Sequence, residues 1–114
     1  MRRRCRALPC CPMRLGRYLV AGLAALVLMA CGPDESATGA EIYSQVCARC
    51  HGADLSGGVG PDLGPGSSAA AQTDEFLVQT ISDGRGRMPS FRQTLSAAQI
   101  ERVVRFLRQR QGQS

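Results

Sequence analysis

The stretch VCARCHGADL, from Val46 to Leu55, holds two cysteines three positions apart and, directly after them, the only histidine of the 114 residues. Thiols and an imidazole at this spacing can bind a metal, form a redox pair or attach a cofactor. A zinc site needs a full tetrahedral set of ligands. Because the chain has no second CxxC pair and no second histidine, carboxylates would have to complete such a site. A thioredoxin-like redox pair needs a βαβ setting, which the sequence does not predict.

The third interpretation is covalent attachment of haem. The two thiols then bond to the two vinyl groups on one edge of the porphyrin, and the imidazole of His51 points at the iron. Haem of this type is attached outside the cytoplasm, so the interpretation requires that the protein is exported.

The N-terminus has the pattern of an export signal. Residues 1–17 contain six arginines and no acid, and the apolar run Tyr18 to Ala30 follows with 13 residues. A cationic start, a short apolar segment and small residues at its end predict a signal peptide over 1–30. A membrane-spanning helix needs about 20 apolar residues, so the run is too short for one. A compact signal also starts at Met13, and the sequence does not decide between Met1 and Met13 as the true start.

The end of this signal, LMAC from Leu28 to Cys31, resembles the lipobox of bacterial lipoproteins. The resemblance implies that Cys31 is lipidated after cleavage and holds the chain on the periplasmic side of a membrane, inner or outer. An ordinary signal peptide with an incidental cysteine is the alternative. Residues 31–37 are polar and contain a proline, so they predict a tether that spans at most about 25 Å when fully extended.

Charge and size limit what the predicted domain over 38–114 can be. Without residues 1–30 the chain retains 8 arginines against 9 acids, a net charge of −1, and it has no lysine. No basic patch for nucleic acid is therefore expected. Four of the six cysteines lie in the signal or at Cys31, so only the CxxC pair remains and no disulfide framework is predicted. A domain this small gains stability from a large apolar cofactor.

Three helices are predicted and no strand. TGAE at 38–41 has the spacing of a capping box before a helix over 39–49, and TDEFLVQTISDG at 73–84 forms the second helix, with Gly84 as its stop. A second capping box at 96–99 starts the third helix, whose apolar positions alternate with arginines until Gly112 (Ile100, Val103, Val104, Leu107; Arg102, Arg105, Arg108, Arg110). The long Gly- and Pro-rich loop between the first two helices suits a chain that wraps a ligand. The predicted fold class is a small all-α domain.

Over nearly all of residues 38–110 the chain resembles the small class I bacterial cytochromes c. The matching segments are GAEIYSQVCARCHG (39–52), GPDL (60–63), SDGRGRMPSF (82–91) and LSAAQIERVVRFLRQ (95–109). The resemblance implies helices wrapped around one covalently attached haem c, with the N-terminal and C-terminal helices packed together. Gly39 and Tyr43 would lie on the side of the first helix that meets the last one.

The same resemblance assigns individual roles. It implies that Cys47 and Cys50 bind the haem, that His51 and Met88 are the axial ligands of the iron, and that the carbonyl of Pro61 accepts the N–H of the histidine. Met88 is the only methionine outside the signal, and it lies in a non-helical stretch before a proline. A methionine that merely fills a core more often lies on the apolar face of a helix.

An iron with both axial positions filled has no vacancy for a substrate, so the expected function is one-electron transfer between redox proteins and not catalysis. The chain would act alone or as a subunit of a respiratory complex or a dehydrogenase. A haem-based gas sensor or small haem enzyme with a displaceable Met88 is the rival, and a dithiol or metal-binding lipoprotein without haem is a further alternative. Arg85 and Arg87 either pair with haem propionates or are simply solvated.

Overall fold

The computed structural model describes residues 32–113, so the predicted signal over 1–30 and the predicted lipidation site Cys31 lie outside the described part. Its helices are α1 (Gly39–Ile42), α2 (Ala48–His51), α3 (Asp74–Asp83) and α4 (Ala97–Gln111), and a π-helical turn, Tyr43–Cys47, joins α1 to α2. Between residues 32 and 113 there is no strand, only an isolated antiparallel bridge between Arg85 and Met88. The predicted all-α fold class is confirmed.

The first helical segment starts where predicted and ends later. The Thr38 hydroxyl accepts the backbone N–H of Glu41, and the Glu41 carboxylate accepts the backbone N–H of Thr38 at 2.7 Å, which completes the predicted capping box. The prediction ended at residue 49, whereas helical geometry continues to His51 and stops at Gly52, with φ +81°. The π turn ends on Cys47, in keeping with the frequent occurrence of such turns at functional sites.

The ends of α3 and α4 agree with the sequence prediction. Thr73 caps α3 by accepting the N–H of Phe76, and Gly84 follows the last residue of α3 at φ +77°. The Ser96–Gln99 capping box is formed, and Gly112 closes α4 in the left-handed conformation, at φ +72°. These ends are defined because the caps satisfy backbone groups that a helix leaves unpaired.

α1 crosses α4 at close backbone distance. A Cβ on Gly39 would lie 2.1 Å from the carbonyl oxygen of Arg102, so the crossing requires glycine at this position. Next to it, the ring centroids of Tyr43 and Phe106 are 5.3 Å apart. The apolar stripe of α4 is buried in the same core (Ile100, Val103, Val104, Leu107). The predicted packing of the first helix on the last is confirmed.

The segment before α1 is folded onto α4. The side-chain amide of Gln99 donates to the carbonyl oxygens of Pro33 and Asp34, at 3.1 and 3.0 Å, and Ala37 is buried in the core. The tether predicted over 31–37 is therefore not free chain in its described part, because these contacts hold it on the helix. Among the helices within residues 32–113, none is long and apolar enough to cross a membrane.

Candidate cofactor site

The side chains predicted to bind the cofactor line one cavity. Its volume of 630 Å³ lies within the range of about 300–1,000 Å³ that cofactor pockets occupy. Cys47, Cys50 and His51 reach the cavity from the first helical segment, and Met88 reaches it from the loop after α3. Much of the remaining lining is apolar (Val46, Leu63, Phe76, Leu77, Ile81, Phe91). In size and polarity the cavity suits a large apolar cofactor.

The imidazole of His51 is oriented by the backbone of Pro61. His51 is 7% exposed, and its Nδ1 lies 2.9 Å from the carbonyl oxygen of Pro61. A carbonyl can only accept, so Nδ1 carries the proton and Nε2 keeps its lone pair for a metal. Such an outer hydrogen bond fixes the ring of a metal-binding histidine and raises its basicity. The contact implied for Pro61 is present in the structure, while the axial role of His51 stays a prediction.

The loop after His51 folds back over the imidazole. The N–H of Gly57 donates to the His51 carbonyl at 2.8 Å, and the N–H of Gly60 donates to the Cys50 carbonyl at 2.7 Å. A Cβ on Gly60 would lie 2.7 Å from Cε1 of His51, so the loop approaches the ring this closely only because residue 60 is glycine. Leu55 anchors the loop in the core, since it is 1% exposed although its φ is +70°.

Tyr43 connects the first helical segment to the residue after His51. Its hydroxyl donates to the Gly52 carbonyl oxygen at 2.7 Å, and its ring lines the cavity. Burial raises the pKa of Tyr43 to about 12, and the nearby Cys47 and Asp54 add to the rise. The phenol therefore stays protonated at physiological pH and keeps this hydrogen bond.

Cys47 and Cys50 are not joined by a disulfide, and the surroundings of Cys47 do not favour a thiolate. Burial raises the pKa of Cys47 to about 11, with Arg49 opposing the rise and Cys50 adding to it. Metal-binding and nucleophilic cysteines act as thiolates, which a raised pKa disfavours. Within residues 32–113, no group of three or more His, Cys, Asp and Glu side chains is arranged to hold a metal ion. Carboxylates among the described residues therefore do not complete the zinc site that the sequence left open.

Met88 is held at the cavity by a tight turn. Its backbone N–H and carbonyl exchange hydrogen bonds with Arg85, at 3.0 and 3.1 Å, across Gly86, whose φ is +58°. Gly84 packs against this turn so closely that a Cβ there would lie 2.6 Å from the Met88 carbonyl oxygen. The Met88 side chain is half-buried and lines the cavity. The turn thus gives the loop a defined path past the cavity, and axial ligation by Met88 stays a prediction.

The charged side chains on the described lining are three arginines, Arg49, Arg85 and Arg87. The guanidinium of Arg85 lies 5.0 Å from the ring centroid of Phe76, which is cation–π distance. Carboxylates of a bound haem would meet positive charge here. Arg85 and Arg87 are exposed, so both predicted roles, pairing with propionates and simple solvation, agree with their placement.

One buried charged residue of α4, Arg108, was not expected from the sequence. Arg108 was grouped with the arginines between the apolar positions of α4, but it is 8% exposed and bonds to Asp74 at 2.7 Å. The helical register could have predicted this burial, because residue 108 shares one face of the helix with Ile100, Val104 and Gln111. Gln111 is 7% exposed as well.

An all-α fold in which the first helix crosses the last, and in which a CxxCH segment ends at an apolar cavity, is that of a class I c-type cytochrome. The chain belongs to the family described as "Cytochrome C oxidase, cbb3-type, subunit III", whose model matches residues 34–107. Members of this family carry electrons, and the cofactor of the domain is haem c. The paired thiols, the oriented imidazole and the apolar lining fit that group.

Individual relatives agree with this assignment. Quinohemoprotein alcohol dehydrogenase ADH IIB of Pseudomonas putida is 32% identical over 83 residues, which are 69% of this chain and 12% of that protein. Cytochrome c-551 of Bacillus subtilis (strain 168) is 42% identical over 52 residues, 45% of this chain and 44% of that protein. The solved structure of the c-type cytochrome NirC has a TM-score of 0.54 at 35% identity, and the match covers 60% of this chain and 82% of NirC. The matches thus span less than half the length of the first two relatives.

Proposed function

We propose that this protein is a monohaem one-electron carrier in which Cys47 and Cys50 hold the haem through thioether bonds and His51 and Met88 are the axial ligands. One observation carries the proposal: side chains from the CxxCH segment and from the distant Met88 turn line the same largely apolar cavity. Haem c supplies a one-electron couple at its iron when it is bound. The surrounding residues determine how that couple is used.

The chain holds both proposed ligands in fixed positions. The Pro61 carbonyl fixes the His51 ring through the 2.9 Å hydrogen bond, and the paired hydrogen bonds between Arg85 and Met88 fix the turn. Ligands that stay in place keep the structural rearrangement between oxidation states small. The neutral thioether of Met88 favours the reduced state and so raises the reduction potential. With both His51 and Met88 on the iron, no coordination site would remain for a substrate, which supports an electron carrier over an enzyme.

We further propose that the protein is exported and lipidated at Cys31, and that it works on the periplasmic side of a membrane. The signal-like residues 1–30 and the lipobox-like LMAC support this location. The contacts of Pro33 and Asp34 with α4 would keep such an anchor close to the folded domain. Redox proteins are the proposed partners, either a dehydrogenase or an oxidase complex, in view of the similarity to a quinohemoprotein dehydrogenase and to an oxidase-subunit family.

Visible spectra test the haem proposal. Protein co-expressed with the haem-attachment machinery is measured oxidised, reduced, and reduced under carbon monoxide. The expected result is a covalent low-spin haem with a methionine–iron charge-transfer band and no response to carbon monoxide. A wild-type protein that binds carbon monoxide would support a gas sensor or small haem enzyme instead, and a colourless product would exclude haem.

A variant of Met88 tests the axial assignment. Met88→Ala should remove the charge-transfer band and open the iron to carbon monoxide, because no other methionine lies outside the predicted signal. Val59→Ala is the matched control, since Val59 also lines the cavity but is 76% exposed, and it should retain the wild-type spectrum. A Met88→Ala protein with the wild-type spectrum would refute the assignment.

Lipidation is tested separately on the full chain. The mature protein should begin at Cys31, should carry the added mass of acyl chains, and should sediment with membranes. Cys31→Ser should release a protein with an unchanged haem spectrum into the soluble periplasmic fraction. A wild-type mature protein without acyl mass would exclude the lipid anchor and leave the haem proposal intact.

A further inference from the structure

The C-terminal half of α4 carries a buried arginine, Arg108, that has no role in the proposed binding of the haem. Arg108 is 8% exposed, and each nitrogen of its guanidinium has an acceptor. Nε donates to Asp74 Oδ1 at 2.7 Å, Nη1 donates to the Ala70 carbonyl at 3.3 Å, and Nη2 donates to the Gln72 carbonyl. Nη1 also donates to the side-chain oxygens of Gln111 and Gln113, each at 3.0 Å. A guanidinium committed to so many partners at once defines the position of those partners.

The carbonyls that Arg108 binds belong to the segment that forms one side of the cavity. Residues 63–72, which we call the cavity wall, contribute Leu63, Ser68, Ala69 and Gln72 to the lining. The wall has no helix of its own and is shaped by local turns, such as the hydrogen bond of Ala70 N–H to Ser67 O. Such a segment keeps its position only through contacts to the rest of the fold.

The end of α4 and the residues just after it supply those contacts at both ends of the wall. Gln111 donates to the Leu63 carbonyl at 2.8 Å, at the start of the wall. Gln113 donates to the Ala70 carbonyl at 3.0 Å, and Arg108 binds the carbonyls of Ala70 and Gln72 near its end. Asp74, which Arg108 also binds, is the first residue of α3, so the junction between wall and helix is held too.

We propose that Arg108 is a positioning residue for the haem pocket, and that its guanidinium keeps the cavity wall closed against the cofactor. This inference rests on the proposed function. A closed wall excludes water from the haem, and a dry pocket disfavours the additional charge of the oxidised iron, so the wall raises the reduction potential. The planar fork of arginine reaches acceptors in several directions at once, which the single ammonium of a lysine does not.

If Arg108 acted on the haem only through its positive charge, its variants would behave differently than if it held the wall in place. A buried positive charge could raise the potential of a haem without any effect on the wall. Arg108→Lys keeps the charge and loses the fork, whereas Arg108→Gln loses both. Arg105→Gln is the matched control, because Arg105 lies on the same helix with its side chain 62% exposed and pairs only with Glu101 among the described residues.

The experiment uses the holoprotein of the wild type and of these three variants. Midpoint potentials are measured by spectroelectrochemistry in high salt, which screens the surface charges. Amide hydrogen exchange is measured for the wall, with Ala70 and Gln72 as reporters, since both amides are hydrogen-bonded within it. We expect Arg108→Gln and Arg108→Lys to exchange these amides about tenfold faster or more, and to have lower potentials than the wild type. Arg105→Gln should match the wild type in both measurements.

Several results would overturn the inference. Unchanged exchange and potential in Arg108→Gln would show that the wall does not need the guanidinium. A potential that falls in Arg108→Gln and is fully restored in Arg108→Lys, with slow exchange in both, would assign the effect to charge alone. If Arg108→Gln does not mature, Arg108→Lys carries the test, and faster exchange of Ala70 in that variant is then the required result. A wild-type protein without haem would overturn the proposed function together with this inference, whereas a normal wild-type spectrum with unaltered variants would overturn the inference only.

Discussion

Substitution of Gly60 by alanine tests whether the loop that covers His51 positions its ring. The added Cβ would lie 2.7 Å from Cε1, 2.9 Å from Nδ1 and 3.1 Å from Nε2 of the imidazole. Gly60 does not have a left-handed backbone conformation, so an alanine there causes a steric clash without backbone strain. The conflict falls on the ring of His51, a residue that is only 7% exposed.

The size of the effect follows from these distances. Ordinary contacts of a Cβ begin at 3.4 Å, so Cε1 has to move by about 0.7 Å. Overpacking of a buried site costs about 1–3 kcal/mol of unfolding free energy. The movement also strains the hydrogen bond between His51 and Pro61, the residue next to Gly60, and its loss costs about 1 kcal/mol more. A total of about 2–4 kcal/mol predicts that Tm falls by at least about 8 °C in a domain of this size.

The assay is thermal unfolding of the holoprotein, followed by circular dichroism and by the visible spectrum. Gly64→Ala is the control in the same loop, because its Cβ would meet only the end of the Asp62 side chain, at 3.1 Å. We expect Gly60→Ala to lose stability and to alter the haem spectrum, and the control to change neither by a comparable amount. If Gly60→Ala has the same Tm and the same visible spectrum as the wild type, the loop does not position the imidazole and the reasoning is wrong.

Two further predictions concern the helix crossing. Gly39→Ala should lower the unfolding free energy by at least about 1–3 kcal/mol in urea titration, because its Cβ would lie 2.1 Å from the Arg102 carbonyl oxygen. Helix propensity alone predicts a small gain in stability for the same substitution. A variant as stable as the wild type, or more stable, would therefore refute the packing argument. Tyr43→Phe should cost about 1 kcal/mol at neutral pH through the lost hydrogen bond to Gly52. In the folded protein the pKa of Tyr43 is about 12 against an ordinary 10.0, so the fold favours the protonated phenol. Wild-type stability should therefore be intact below pH 10 and decline as the pH rises towards 12, and Tyr43→Phe should lack this decline. An equal decline in both proteins would contradict the assignment.

The helix ends could be predicted because their signals are local. Thr38, Thr73 and Ser96 accept backbone N–H groups within the same turn, and Gly112 closes the last helix through its own conformation. None of these interactions depends on the rest of the fold. The CxxCH motif is local in the same sense, because one stretch of helix carries both thiols and the imidazole.

The features that the sequence did not reveal depend on distant partners. Residues 33–37 are polar and contain a proline, which favoured a tether. Contacts with distant residues of α4, such as the hydrogen bonds from the side chain of Gln99, make them part of the folded domain. The π turn at Tyr43–Cys47 has no mark in its own sequence, YSQVC, and it accompanies the extension of the helical segment to His51. Arg108 resembled a solvated arginine because its acceptors lie on a loop whose path cannot be read from periodicity.

α4 is therefore more important for the site than its lack of predicted ligands suggests. Three side chains of this one helix hold three other parts of the fold. Gln99 holds the residues before α1, Phe106 packs against Tyr43 of the first helical segment, and Arg108 holds the cavity wall. A helix is rigid over this length, so a change that tilts α4 moves all of these parts of the pocket together, whereas a change within one loop moves only that loop. The local CxxCH motif determines what the cofactor is, and the long-range contacts of α4 determine how tightly the protein closes around it.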